Sequence, residues 1–186
     1  MKIALLTNLI EDYIGHINVG DVFIRFGLQH VLNNAINEPI EWYLISRFKP
    51  LTSEELELMK TCDYIIYGGM PQYNNLDDWR FYYDDEIWND LNQLNVSILR
   101  LAGGGGYPSE FWTPEQFAEH LNKSDYTKDI LLKSCLNTKL FTTRDKMAQA
   151  FLESNSVKST LLPVLEHLLV SFKGLKRLIE QSMLFV

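Results

Sequence analysis

An arginine beside an aspartate, placed between a predicted strand and a predicted helix, could bind an anion. Arg144 and Asp145 follow Thr142-Thr143 and precede a segment with helical spacing. Asp145 fits the cap of that helix, because a carboxylate accepts hydrogen bonds from the free N–H groups of a first turn. The guanidinium of Arg144 would then project beside the helix start, where its planar fork suits a carboxylate or a phosphate. A surface ion pair between Arg144 and Asp145 is the alternative.

Glycines follow two other predicted strands. These glycines are Gly68, Gly69, Gly103, Gly104 and Gly105. Glycines at strand ends let backbone N–H groups converge on an anion without interference from Cβ atoms. Neither segment has the spacing of a dinucleotide fingerprint or a P-loop, and two tight strand-to-helix turns would explain the same residues. Their position at successive strand ends favours a ligand cleft.

A third candidate follows the first predicted strand, at Asn18-Val19-Gly20-Asp21. Gly20 permits close approach of the backbone, Asp21 can cap the next helix, and Asn18 can hold the loop by side-chain hydrogen bonds. A helix cap alone explains this pattern equally well.

The elements that must position these residues alternate along the chain. Short apolar runs predict strands at 2–7, 40–45, 64–67, 96–101, 139–142 and 159–162. Helical spacing predicts helices at 21–32, 53–60, 86–94, 114–121, 125–135 and 145–152, with Ser53 capping the second. Continuous apolar strands between helices indicate an α/β, doubly wound parallel sheet of Rossmann-like type. Ligands bind at the carboxyl ends of such strands, so the candidates should share one edge.

Composition narrows the class of protein. A length of 186 residues with 46% hydrophobic residues suits one domain. The net charge of -7 argues against nucleic acid as a partner. Cys62 and Cys135 lack metal-ligand spacing, and the histidines are scattered, so we expect buried free thiols and no metal site. No run is long and uncharged enough for a membrane span, which leads us to expect a cytoplasmic protein.

Taken in order, the candidate segments resemble the N-terminal region of the polysaccharide pyruvyl transferase family. The resemblance covers residues 1 to about 163 and rests on their order and spacing rather than on any single motif. The matching segments are Asn18-x-Gly20-Asp21 with Gly27-Leu28-Gln29, Gly68-Gly69, the glycine run after Leu101, and Thr142-Thr143-Arg144-Asp145.

The resemblance implies a fold and a reaction. Members of the family are similar to two-domain GT-B glycosyltransferases and transfer a pyruvyl group from phosphoenolpyruvate to a sugar, forming a ketal. It therefore implies that residues 1–163 are a Rossmann-like N-terminal domain and that Arg144 contacts the anionic donor. Phosphoenolpyruvate would be a substrate, a sugar of a cell-surface polysaccharide the acceptor, and no cofactor is implied. The family's acid or base is expected to be a histidine of the C-terminal half, and His167 is too early to match it.

The sequence departs from the family pattern after Pro163. We expect residues 164–186 to be a non-family tail, with helix-like apolar spacing, produced by the loss of one base that shifted the reading frame. A half-cleft would lack an oriented, water-excluding site, so we expect little turnover from it alone. Its exposed second-domain face would favour self-association.

Two other functions stay open. One is a stand-alone α/β module of flavodoxin-like shape that binds a nucleotide or sugar phosphate at the glycine segments. The other is a non-enzymatic interaction protein whose tail docks as an amphipathic helix.

Overall fold

A parallel sheet organises the chain. The computed structural model describes residues 1–9, 19–68, 71–73, 84–106 and 113–161. The strands are β1 (Lys2–Thr7), β2 (Glu41–Ser46), β3 (Tyr64–Gly68), β4 (Pro71–Tyr73), β5 (Ser97–Gly105), β6 (Thr138–Thr143) and β7 (Thr160–Leu161). Six of them lie in the order β2-β1-β3-β5-β6-β7, and the short β4 pairs with the end of β5. Every pairing is parallel.

Helices cover both faces of the sheet. They are α1 (Val19–Ala35), α2 (Ser53–Lys60), α3 (Asp84–Leu91), α4 (Pro114–Asn122), α5 (Asp125–Cys135) and α6 (Lys146–Ser154). Apolar residues of α1 pack on Ile3, Leu5 and Ile66. Residues of α2, α3 and α5 pack on the opposite face, against Leu6 and its neighbours. The fold is therefore the doubly wound, Rossmann-like α/β fold that the alternation of elements predicts.

Most predicted boundaries differ from the observed ones by a few residues, and four differences from the prediction bear on the site or its supports. Thr52, not Ser53, caps α2, because its hydroxyl accepts from Glu55 N–H while the Glu55 side chain accepts from Thr52 N–H. Helix α1 begins at Val19, which makes Asp21 its third residue rather than its cap. Strand β5 runs on to Gly105, and β4 is absent from the prediction because its three residues are too few to show a period.

Neither cysteine is a reactive thiol in this structure. Cys62 is buried, Cys135 is half-buried, and both are free thiols. Burial raises the pKa of each thiol above its usual value, so both are weak nucleophiles at neutral pH.

Within the described ranges, no helix combines the length and apolar character needed to cross a bilayer.

Helix α6 ends in a Schellman motif that contains a strained residue. Val157 N–H donates to Leu152 O and Ser156 N–H donates to Glu153 O, both at 2.9 Å. This pattern requires a left-handed residue after the cap, and Ser156 has φ of 61°. Glycine is the usual residue there because it has no Cβ to strain the turn.

We predict that Ser156→Gly raises the free energy of unfolding by about 0.5–1 kcal/mol, because relief of left-handed strain exceeds the added flexibility of the unfolded chain. Ser156 is exposed, so the change opens no cavity. Urea unfolding of the two proteins measures the difference. A lower stability of the variant would contradict the prediction.

Candidate functional site

Gly103, Gly104 and Gly105 are strand residues, not turn residues. Gly103 pairs with Thr143 on β6, and Gly104 and Gly105 pair with β4. The segment expected to be a loop therefore extends the sheet at its carboxyl edge. It brings β5 against the turn between β6 and α6, where Arg144 lies.

Arg144 lies directly against Gly104. Its N–H donates to Gly103 O at 2.9 Å. A Cβ added to Gly104 would come within 2.7 Å of the Arg144 Cζ atom, so only glycine leaves room for the guanidinium in this position. Two candidates that are 40 residues apart in sequence are thus brought into contact, as the sequence analysis expects of residues at one sheet edge.

Asp145 joins the same two elements through its carboxylate. One oxygen accepts from Ala148 N–H at 2.8 Å and caps α6, and the other accepts from Gly105 N–H at 2.9 Å. The capping role predicted for Asp145 is confirmed. Arg144 and Asp145 are both described, and no ion pair joins them. The alternative of a surface ion pair between the two residues is therefore wrong.

These bonds change how an anion could be held. The N–H of Gly105 is bonded to Asp145, and the N–H of Gly106 donates to Tyr73 O at 2.8 Å. Neither N–H can converge on a ligand without breaking an existing bond. The expected cradle of backbone N–H groups is therefore not formed by Gly105 and Gly106, and the guanidinium of Arg144 is the better donor.

A bulge in β5 sets this geometry. Between Arg100 and Gly103, β5 has one residue more than the paired stretch of β6. The extra residue, Ala102, has φ of 54°, and its N–H donates to the Thr142 hydroxyl at 2.9 Å. An alanine in this left-handed region costs about 1–2 kcal/mol. Bulges of this kind redirect a strand beside a site, and here the bulge aims the glycine segment at Arg144.

Gly68 has a packing role at the end of β3. A Cβ at this position would lie 2.7 Å from Leu101 O and 3.3 Å from a methyl of Leu28 on α1. Gly68 therefore allows β3, β5 and α1 to approach closely. Gly20 lies within α1, Asn18 and Gly69 lie outside the described residues, and the structure does not bring Gly68 into contact with Arg144.

Sequence analysis missed other arginines. Arg47 directly follows β2 and is buried, with its guanidinium 5.6 Å from the Tyr67 ring. Arg100 is buried on β5, donates to the Ser134 hydroxyl at 2.5 Å, and lies among four aromatic rings. Arg25 is buried on α1. The sequence does show that two of these arginines occupy positions expected to be buried and apolar. Arg25 lies three residues before Leu28 on one helix face, and Arg100 interrupts the apolar run 98–102.

Two of the described arginines lie at the carboxyl edge of the sheet. Arg144 follows β6 and Arg47 follows β2, whereas the chain as a whole carries a net charge of -7. A guanidinium at this edge could bind a small anion. No protein-family model and no curated protein matches this chain.

We predict that Gly68→Ala destabilises the fold more than Gly104→Ala. The new Cβ at position 68 meets a backbone oxygen that cannot move freely, which costs about 1–3 kcal/mol. The new Cβ at position 104 meets the far end of a flexible side chain, so Arg144 swings away at a cost below about 1 kcal/mol. Urea unfolding compares the two, and equal losses would contradict the role given to Arg144.

Proposed function

We propose that residues 1–163 form the donor-binding half of a polysaccharide pyruvyl transferase. In this proposal, Arg144 binds an acidic group of phosphoenolpyruvate, and the pyruvyl group is transferred to a sugar of a cell-surface polysaccharide. The contact between Arg144 and Gly104 at the carboxyl edge of the sheet is the observation that supports it most. An arginine held by two neighbouring elements is pre-organised for a carboxylate or a phosphate.

The described residues suit donor binding rather than acid or base catalysis. The carboxylate of Asp145 has both oxygens bonded to backbone N–H groups and is occupied structurally. The acid or base of the reaction then comes from a histidine of a second half of the cleft, as in the family that the sequence resembles. Residues 1–163 would bind the donor, and they would show little turnover without that half.

A stand-alone nucleotide or sugar phosphate module is the second candidate. The order β2-β1-β3-β5-β6 corresponds to the flavodoxin-like order, in which a ligand binds where the chain connections diverge. The order reverses beside β1, and the same edge carries the candidate arginines. Titration with a nucleoside diphosphate sugar would favour this candidate if that ligand binds and phosphoenolpyruvate does not.

We predict that Arg144→Ala weakens phosphoenolpyruvate binding by about 10-fold or more, because a hydrogen bond to a charged group contributes about 1.5–3 kcal/mol. Gly104→Ala should weaken it as well, since the guanidinium is displaced while the charge is kept. Calorimetric titration measures both.

Lys139→Ala is the matched control for this titration. Lys139 is an exposed cation on the same strand, near its amino end, so its loss should change the affinity less than about 2-fold. Absence of saturable binding to the folded wild-type protein would rule out the donor site. Equal binding by Arg144→Ala and the wild type would place the donor elsewhere.

Two exposed aromatic residues lead us to predict self-association. Phe23 and Phe26, which are 71% and 56% exposed, lie in the first half of α1 and form an apolar surface. Sedimentation velocity should show an oligomer that grows with concentration, and the double change Phe23→Ser and Phe26→Ser should reduce it. A monomer at all concentrations would contradict this prediction.

A further inference from the structure

We infer that Arg25 and Thr7 form a binding subsite for one oxyanion, a phosphate or a carboxylate, over the carboxyl ends of β1 and β2. This subsite lies across β3 and β5 from Arg144, and the inference does not depend on pyruvyl transfer. It assigns a role to two buried polar side chains that no part of the Arg144 site uses.

Among the residues that the structure describes, no acid lies beside the buried cation of Arg25. The residue is 6% exposed, and its Nε atom has no hydrogen-bond partner. Among the described contacts its guanidinium faces only the Phe26 ring, at 4.9 Å. The ring attracts the cation, but it does not accept a hydrogen bond from Nε–H, which lies in the plane of the guanidinium. A guanidinium stays protonated even when buried, so this arrangement is costly unless an anion joins it.

Thr7, at the end of β1, also has a buried polar atom without a hydrogen-bond partner. Its side chain is fully buried, and Oγ1 has no hydrogen-bond partner in the part of the chain that the structure describes. Its backbone oxygen accepts from Arg47 N–H at 3.2 Å, which holds the strand end in place. A buried hydroxyl without a partner destabilises a fold unless it has a ligand or a water to bond.

Strand register shows that Thr7 faces α1. Ile3 and Leu5 pack against α1, and side chains alternate along a strand, so Thr7 points to the same side. Thr7 pairs with Ser46 on β2. On the other side of β1 lies the parallel strand β3, where Tyr67 pairs with Leu6. The next residues of the two strands, Gly68 and Thr7, therefore lie side by side.

Helix geometry places Arg25 above this pair of strand ends. Leu28 contacts Gly68, and Arg25 lies one turn earlier on α1, nearer the carboxyl edge. Asn33 is eight residues after Arg25, only about 80° further around the helix. Asn33 accepts a hydrogen bond from the Trp42 ring N–H of β2 at 3.0 Å. Leu28 points toward β3 and Asn33 toward β2, and Arg25 lies between these two directions. Arg25 therefore faces the end of β1, where Thr7 pairs with Ser46 of β2.

An oxyanion between Arg25 and Thr7 would satisfy both groups. The guanidinium donates to two oxygens of a phosphate or carboxylate, and the threonine hydroxyl donates to one of them. Both groups then exchange an unfavourable buried state for charge-assisted hydrogen bonds. The chemistry is shared by phosphate and carboxylate ligands, and the titration must separate them.

The test is calorimetric titration of the whole chain with inorganic phosphate and, separately, with acetate, at constant ionic strength. Arg25→Met keeps the length and removes the charge, and Thr7→Val keeps the shape and removes the hydroxyl. We expect saturable binding of one probe by the wild type, weakened at least 10-fold by Arg25→Met and about 3-fold or more by Thr7→Val. We expect Arg144→Ala to retain it within about 2-fold.

Thermal unfolding without ligand separates a binding role from a structural one. If Arg25 awaits an anion, Arg25→Met removes an unpaired buried charge, and its Tm equals or exceeds that of the wild type. The rise in Tm that the wild type shows with phosphate or acetate should be lost in the variant. A lower Tm for Arg25→Met without ligand would overturn the inference, and Thr7→Val still tests the subsite if Arg25→Met does not fold.

The remaining outcomes are also decisive. No binding of either probe by the folded wild type would overturn the inference. Binding lost in Arg144→Ala but kept in Arg25→Met would overturn it too, while supporting an anion site at Arg144. Binding lost in Arg25→Met, together with no phosphoenolpyruvate binding by the wild type, would support the subsite and count against pyruvyl transfer.

Discussion

The structure at the carboxyl edge depends on the bonds that one carboxylate makes to two elements. Asp145 accepts from Gly105 N–H at the end of β5 and from Ala148 N–H at the start of α6. A carboxylate bonded to two backbone donors ties the last residues of a strand to the first turn of a helix. Arg144, which lies between them, is held against Gly104 as a result. The same carboxylate is thereby unavailable to a ligand.

The strain in β5 belongs to the same arrangement. Ala102 adopts a left-handed conformation and bonds to Thr142, and the extra residue shifts the register before Gly103. Without that shift, the register of Leu99 and Arg100 would continue into the glycine segment, and Gly103 would no longer pair with Thr143. Backbone strain of this kind persists where surrounding bonds over-determine it, and it clusters at functional sites.

The arginines differ in how their charge is accommodated. Arg100 lies among aromatic rings and bonds to Ser134, deep in the fold, so it stabilises packing between β5 and its neighbours. Arg144 is half-buried beside a strand end, where a ligand could reach it. Arg25 is buried with an unsatisfied Nε. Arg144 is a candidate ligand contact because it is accessible at a strand end, and Arg25 is one because its buried Nε has no hydrogen-bond partner.

The order of elements could be predicted because each depends on local periodicity. Strand β1 and helices α2 and α5 match their predicted bounds, since a continuous apolar run or a capped amphipathic segment is recognisable without its neighbours. Strand β4 could not be predicted, because three residues acquire strand geometry only by pairing with β5. The cap of α2 was misplaced by one residue, as Ser53 and Thr52 are both suitable and only backbone geometry distinguishes them.

By itself, the sequence determined a doubly wound parallel sheet and the capping role of Asp145, because period and capping chemistry are properties of contiguous residues. Only the tertiary structure decided that Gly104 makes room for Arg144 and that Arg25 and Thr7 are buried with unpartnered polar atoms. Those relations join residues far apart in sequence, and they depend on strand register, helix rotation and one extra residue in a bulge. None of these quantities leaves a local pattern in the chain.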